Sequence, residues 1–399
     1  MAETARIALI RGDGIGVDVA GAAVAVAEAA VAAEGGCVLR WEEIHAGAGY
    51  FRDTGHDIEP RGEERAGAAD AIFLGAIGLP AVRHADGTEI SPHLRLRDRF
   101  GLYAGVRPVR AWPNAPQRLA DPRAAGIDLV ILRESTEGLF YSAAVHGRSR
   151  IIGDEEVRET LRITRATTEK LHDFGFRLAR KRRDRGRPGR LTCVDKANVF
   201  PSMAFFRKIF DEIAARYPDV EAGYNYVDAM ALDLVRRPWD FDVMVTENMF
   251  GDILSDLAGG LVGGMGLAAC AEIGDETGLF QPAHGSAPDI MGQDRANPLA
   301  AILSGAMMLD YLADKSGNDR FARAAARVER AVEDGFAANA IRPMEFGGDM
   351  GTRAVTAEVI ARLEGGLRWR FFWGPSRTIS PARRISPTRW SIRACARCR

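Results

Sequence analysis

The sequence predicts an α/β fold around a large, mostly parallel sheet. Two observations predict it: short β-type runs alternate with Ala-rich helical stretches along the first hundred residues, and the same rhythm returns between 126 and 245. At 399 residues the chain is long enough for two to three domains, and it can bury about three-quarters of its unfolded surface without a disulfide or metal staple. In order, the apolar run at 6–10 reads as a strand. The Ala/Val stretch at 17–33 reads as a helix, and 37–44 and 71–74 as two further strands. The pattern continues with strands at 126–132, 191–194, 221–227 and 241–245 and helices at 158–180 and 200–217. Helical patterns return at 298–313 and 319–334. Between them, the Gly-Gly-Leu-Val-Gly-Gly-Met-Gly run at 259–266 reads as a loop where backbone approaches a ligand closely.

Composition excludes several classes. With 47% hydrophobic and 27% charged residues, intrinsic disorder is excluded for the bulk of the chain. Lys plus Arg (53) nearly balances Asp plus Glu (54), so no gross field draws the molecule to nucleic acid or to an anionic membrane, and neither is expected as a partner. No segment reaches about 18 uninterrupted apolar residues. Five cysteines suit a reducing compartment, and the expected address is the cytoplasm. Two stretches depart from the rest. Arg180 to Arg190 holds seven basic residues and reads as a solvated connecting turn, with a phosphate patch as the alternative. After Gly366 the chain carries nine arginines, three tryptophans and no acid, an atypical tail at 366–399 that ends in an isolated Cys395-Ala-Arg-Cys398.

Gly12-Asp13-Gly14-Ile15-Gly16 follows the first strand and opens the first helix. Its third glycine comes one residue early for the G-x-G-x-x-G dinucleotide fingerprint, so it reads as a strand-to-helix turn. The strongest constellation is FDVMVTENMFGDILSD at 241–256. A strand leads through a turn into a helix, where Asp252 and Asp256 stand four residues apart on one face. Like charges at that spacing repel unless a cation lies between them, which points to half of a divalent metal site. Arginines form a second cluster. Arg97 and Arg107 flank a short apolar piece and Arg133 follows a strand, and converging guanidinium groups would hold a di- or tricarboxylate.

In order along the chain stand GDGIG at 12–16, S-x-x-L-R-L-R with V-R-P at 91–108, RESTEGLF at 133–140, VDKANV at 194–199, YVDAM at 226–230, the aspartate segment, HGSAPDI at 284–290 and ANP at 296–298. Together they resemble the isocitrate and isopropylmalate dehydrogenases, the metal-dependent β-decarboxylating hydroxyacid dehydrogenases, over about residues 4–365. The resemblance implies a two-domain fold with a large mixed, mostly parallel sheet. Residues 1–102 and 263–365 would form a discontinuous cofactor domain, and 103–262 the substrate, metal and dimerisation domain. It implies that Arg97, Arg107 and Arg133 clamp substrate carboxylates, with Ser91 and Leu94 facing the substituent. Asp252 and Asp256 would bind Mg²⁺ or Mn²⁺ together with Asp228, and Lys196 would act in proton transfer, pulled toward neutrality by positive neighbours. Lys196 and Asp228 would reach in from the neighbouring subunit of a homodimer.

His284, Gly285, Ser286, Ala287, Asp289 and Ile290, with Asn297, would cradle the cofactor. Asp289, where a 2′-phosphate would meet like charge, and Ile290 both favour NAD over NADP. The family's proton-donating tyrosine falls at Phe140, and Tyr141 is the adjacent candidate. Ser91 matches isocitrate-type enzymes, Leu94 isopropylmalate-type ones, and His93 neither. The expected activity is oxidative decarboxylation of a 3-substituted malate. Isocitrate, homoisocitrate and tartrate stay open as substrates, and a non-catalytic regulatory subunit is the rival from another class.

Overall fold

The computed structural model describes residues 3–144 and 149–365. The alternation resolves into β1 (Glu3–Gly12), α1 (Ile15–Glu34), β2 (Cys37–Glu43), α2 (Ala48–Thr54), α3 (Gly62–Gly67), β3 (Ala71–Ala76), α4 (Pro92–Arg99) and β4 (Ala104–Arg110). Then come β5 (Asp128–Glu134), α5 (Phe140–Ala144), β6 (Arg150–Ile152), β7 (Glu156–Arg158), α6 (Arg165–Asp184), β8 (Arg190–Asp195), α7 (Pro201–Ala214), β9 (Glu221–Tyr226) and α8 (Val227–Arg236). The chain continues through β10 (Val243–Thr246), α9 (Asn248–Leu261), β11 (Ala269–Ile273), β12 (Gly278–Pro282), α10 (Leu299–Ser316), α11 (Asp319–Ala337) and α12 (Thr352–Gly365).

Ten strands join one sheet in the order β2-β1-β3-β12-β11-β4-β5-β10-β8-β9. It is two parallel blocks, β2-β1-β3-β12 and β5-β10-β8-β9, joined through the antiparallel pairings β12-β11, β11-β4 and β4-β5. A single hydrophobic core runs along one face, from Leu9 and Phe73 to Val130 and Val243, under α1, α6, α7, α10 and α11. On the other face the core is split in two. One cluster gathers Ile10, Leu74, Leu96 and Leu279, and the other gathers Val109, Ile131, Met244 and Leu254. A strip of the sheet between them is left for polar groups.

Several expectations change. The helix expected at 158–180 begins later, at Arg165. Thr164 caps α6 through its side chain, and the buried Glu137 carboxylate accepts from the Thr164 N–H (2.7 Å), while 150–158 form the β6-β7 hairpin. The basic run is partly the last turn of α6, where cations are favoured. Its arginines pair with Asp219, Asp242, Asp128 and Asp310, which is the structural and not the phosphate-binding reading. Gly259 and Gly260, expected in a loop, complete α9, and only 262–266 leave the helix. By length and composition α1 would pass for a membrane span, yet it packs on β1–β3, α10 and α11 with its Ala/Val face buried. The Arg-rich tail and its cysteine pair lie outside the described residues.

Candidate active site

Strand register builds the arginine cluster. Glu272 on β11 stands opposite Gly105 on β4, which stands opposite Arg133 on β5. Residues in one row point to one face, and Arg107, two residues beyond Gly105, joins them there. Gly105 carries no side chain between the charged neighbours; a Cβ there would stand 3.0 Å from Glu272 Oε2 and 2.6 Å from Ser135 Oγ. Arg97 arrives from α4 and its Nη2 forms an ion pair with Glu272 Oε1 at 2.9 Å, with Arg107 Nη2 at 3.6 Å from the same oxygen. The row lies in the gap between the two cores of that face.

All three arginines and Glu272 are buried. Against the upward push of burial, Arg97, Arg107 and Arg133 hold the Glu272 carboxyl below its ordinary range. Burial and the field of Arg97 bring Arg133 down to about 10. Arg97 and Arg107 thus share one fully buried carboxylate, with Arg133 in the same row paired to Asp252, and the Nε atoms of Arg97 and Arg107 and Glu272 Oε2 are buried without a partner. Buried donors without acceptors are costly. An added carboxylate would supply acceptors for these two donors.

Arg133 also touches α9. Its Nε donates to Asn248 Oδ1 (2.9 Å), and a second nitrogen pairs with Asp252. Asp256 lies one turn further along the same face, and burial and the Asp252 charge raise its carboxyl above the ordinary range. Two oxygen-donor acids that crowd each other beside a cation cluster fit a hard divalent ion. Asp228 is elsewhere: from the first turn of α8 it accepts from Lys196 Nζ at 2.6 Å, and the lysine's hydrogen bond lowers its pKa. Among the described residues of one chain, no three His, Cys, Asp or Glu side chains gather as a metal site. Where cations were expected around Lys196, its ion-pair partner among the described residues is an acid, Asp228, and its ammonium also lies over the Tyr226 ring.

The aromatic pair separates at α5. Arg133 lies over the Phe140 ring, 4.8 Å from its centroid, whereas Tyr141 lies under Arg162 at 3.8 Å. The hydroxyl-bearing ring is therefore on a different guanidinium from the one that marks the cluster. Ser91 is the N-cap of α4 but makes no capping hydrogen bond with its side chain, and Leu94 is half-buried.

The glycine turn after β1 meets the HGSAPDI segment. Gly14 has φ 55°, and a Cβ there would overlap the Ser286 carbonyl oxygen. The Ile15 N–H donates to that oxygen at 2.7 Å, while the buried Asp13 carboxylate accepts from Ala48, Gly49 and Gly78. Ser286 Oγ bonds the Gly78 carbonyl. His284, Ile290 and Asn297 line a cleft of about 310 Å³ with Ile15, Met265 and Glu345, and His284 Nε2 is buried without a partner. Gly285, Ala287 and Asp289 lie on the same segment outside that lining, with Asp289 exposed. Glu345, not foreseen from sequence, accepts from Asn297 Nδ2 (2.8 Å) and Gly266 N (3.2 Å). Glu272 was missed likewise, since nothing local to either acid announces its partners.

Comparison with known proteins defines the class and then the family. The isocitrate/isopropylmalate dehydrogenase family profile matches residues 6–363. The chain is 40% identical over 361 residues to the 3-isopropylmalate/3-methylmalate dehydrogenase of Methanocaldococcus jannaschii, which covers 90% of this chain and 98% of that protein. It is 37% identical over 364 residues to the 3-isopropylmalate dehydrogenase of Zymomonas mobilis, covering 90% and 99%. Among solved structures, isocitrate dehydrogenase from Methylococcus capsulatus superposes with a TM-score of 0.76 at 34% identity, covering 90% of this chain and 99% of that one. A β-decarboxylating dehydrogenase from Thermococcus kodakarensis superposes at 0.74 with 35% identity, covering 93% and 100%. The protein is thus an enzyme, a decarboxylating dehydrogenase. The chain belongs to the isocitrate/isopropylmalate dehydrogenase family, and the two relatives named above are dehydrogenases of the 3-isopropylmalate type.

Proposed function

We propose that the enzyme catalyses NAD-linked oxidative decarboxylation of a 3-substituted malate, with Mg²⁺ or Mn²⁺, to a 2-oxo acid and CO₂. The observation that carries this reading is the buried arginine cluster with its unpartnered Nε atoms, a carboxylate site assembled before any ligand arrives. Arg97, Arg107 and Arg133 bind and orient the substrate carboxylates. Asp252 and Asp256, with Asp228 of a neighbouring subunit, would hold the divalent ion. When bound, that ion supplies a Lewis acid that eases deprotonation of the 2-hydroxyl, and NAD supplies the hydride acceptor. Lys196, hydrogen-bonded to Asp228, holds and moves the proton. Phe140 has no hydroxyl and Tyr141 faces Arg162, so Lys196 is the group best suited to this task.

His284, Ile290 and Asn297 would contact the cofactor from their cleft, with Gly285, Ser286 and Ala287 shaping the loop. The exposed Asp289 supports NAD over NADP, since it would repel a 2′-phosphate. The two split cores on the site face support a division into a 1–102/263–365 domain and a 103–262 domain. A homodimer is supported by exposed apolar side chains on the β6-β7 hairpin, α8 and α9, namely Ile151, Val157, Leu232, Val235 and Ile253. Free, buried Cys37, Cys193 and Cys270 suit a reducing, cytoplasmic setting. The test is reduced-cofactor absorbance with a panel of 2-hydroxy di- and tricarboxylates, with NAD and with NADP, plus Mn²⁺. Reduction of NAD that ceases on chelation is expected; no reduction with any acid would remove the reading.

A further inference from the structure

We infer that Asp13 is a positioning residue for the cofactor: its carboxylate ties separate segments of the chain into the wall of the proposed NAD cleft and so sets affinity for the dinucleotide without touching it. The inference rests on the proposed function above and deepens it. Asp13 is buried and lies outside the residues that line that cleft. Its three hydrogen bonds come from backbone N–H groups: Ala48 and Gly78 donate to Oδ2 and Gly49 to Oδ1, each at 2.8 Å. Ala48 and Gly49 open α2, whose own N-cap is Gly47 and supplies no side-chain acceptor. The first N–H groups of a helix need one. Asp13 caps α2 from 35 residues away, and with the same oxygen it holds the loop after β3.

The 284–290 segment closes the arrangement. Ser286 Oγ donates to the Gly78 carbonyl, and the Ile15 N–H donates to the Ser286 carbonyl at 2.7 Å. The bonds thus form a ring, from Asp13 to Gly78 to Ser286 to Ile15 and back along the backbone. Ile15 on one side of this ring, and His284 and Ile290 on the other, line the same cleft. The ring therefore spaces the two walls. It needs a carboxylate and not merely a polar side chain of that shape, because both oxygens accept. An amide would turn its NH₂ toward either the Gly49 N–H or the Ala48 and Gly78 pair, and a buried donor facing a donor loses its bond. The carboxylate also stands close against the start of α2: a Cβ on Gly47, which has φ 125°, would lie 2.6 Å from Oδ2.

The experiment uses Asp13→Asn, which keeps the side chain's size, and Ser286→Ala as a milder break in the same ring. NAD binding is read by calorimetric titration without substrate, and backbone hydrogen exchange is read on the cofactor-free protein. Asp13→Asn is expected to speed exchange in 47–49, 76–79 and 284–288 while α10 and α11 keep wild-type protection. It is expected to raise the Kd for NAD about tenfold, as when the competent arrangement falls to about a tenth of the molecules. Ser286→Ala should raise it about threefold, since one bond of the ring is lost and the carboxylate stays. In turnover the KM for NAD should carry the change, with kcat and the KM for the hydroxy acid within about twofold of wild type. A folded Asp13→Asn protein with the wild-type Kd overturns the assignment; if that variant does not fold, the wild-type Kd in Ser286→Ala does so. Exchange that quickens evenly throughout the chain also overturns it, because Asp13 would then support the fold and not the cleft. A wild type that neither binds nor reduces NAD removes the proposed function as well, whereas one that reduces NAD while both variants bind it normally removes only this inference.

Discussion

The arginine cluster and the acidic face meet at Arg133, yet they are built in opposite ways. Arg97, Arg107 and Arg133 come from three elements and are buried, and the chain itself supplies their countercharges, Glu272 to the first two and Asp252 to the third. The acids are exposed or rim-lying. Asp252 and Asp256 crowd each other on α9, while Asp228 is occupied by Lys196 at a separate place. The difference teaches which half of the site folding completes. The arginine half, which the proposed function assigns to the substrate's charge, is preorganised in the fold, whereas in the same proposal the reactive half awaits an ion and a second copy of the chain.

The sharpest way to break this contrast is on the acidic side. Asp252→Asn should reduce Mn²⁺-dependent turnover to background while circular dichroism and the unfolding midpoint stay near wild type, because Asn248 still holds Arg133 Nε. Unchanged activity would refute the metal assignment. Asp228→Asn should be equally inactive alone. If the acids meet across a two-fold axis, mixed and re-associated Asp252→Asn and Asp228→Asn chains should recover about a quarter of wild-type activity, since only hybrid dimers contain an intact site, and one each. No recovery on verified subunit exchange would place Asp228 outside the shared site.

On the arginine side the expected effect is on stability. Glu272→Ala leaves Arg97 and Arg107 buried without their countercharge, and breaking a buried pair from one side costs about 3–5 kcal/mol. Chemical denaturation measures it. A dicarboxylate such as malonate should return part of the loss by binding the freed guanidinium groups, an effect without a counterpart in Asp252→Asn. A Glu272→Ala protein as stable as wild type would mean that the cluster is not the self-completed half.

A smaller effect comes from Glu134, beside Arg133 at the end of β5. Burial raises its carboxyl from 4.5 to about 7, although Thr136 and the Glu137 N–H donate to it. The folded state therefore holds this proton more tightly than the unfolded one. The group's contribution is fully present below about 4.5 and is lost as pH climbs to about 7. Glu134→Gln should flatten that decline in unfolding free energy between pH 5 and 7; an unchanged slope would assign the pH dependence to other groups.

The two halves also differed in how far the sequence disclosed them. Asp252 and Asp256 were legible because helical period alone puts i and i+4 on one face, and the β-α alternation was legible because each parallel crossover repeats the same local signal. The convergence of the arginines was not. It depends on β11 pairing with β4 and β4 with β5, contacts more than 160 residues apart in the case of Glu272 and Gly105, and no local pattern specifies that register. Glu345 escaped for the same reason, reaching back to Asn297 and Gly266 from a turn after α11. The start of α6 was misplaced because its cap is completed by Glu137, a residue from before the β6-β7 hairpin.

The smallest expected effect is the stability change in Asp228→Asn. The Lys196–Asp228 bond is short, but Asp228 stands in solvent with 67% of its side chain exposed, and water screens such a pair while both side chains lose rotamer freedom to form it. The melting midpoint of the substituted protein should therefore match wild type within experimental scatter, despite the loss of turnover predicted above. Lys196→Met should behave in the same way. A clear drop in midpoint for either would show that this pair supports the fold, as Glu272 does. The contrast between a half completed by folding and a half held open for chemistry would then fail at the residue where it is most exposed to test.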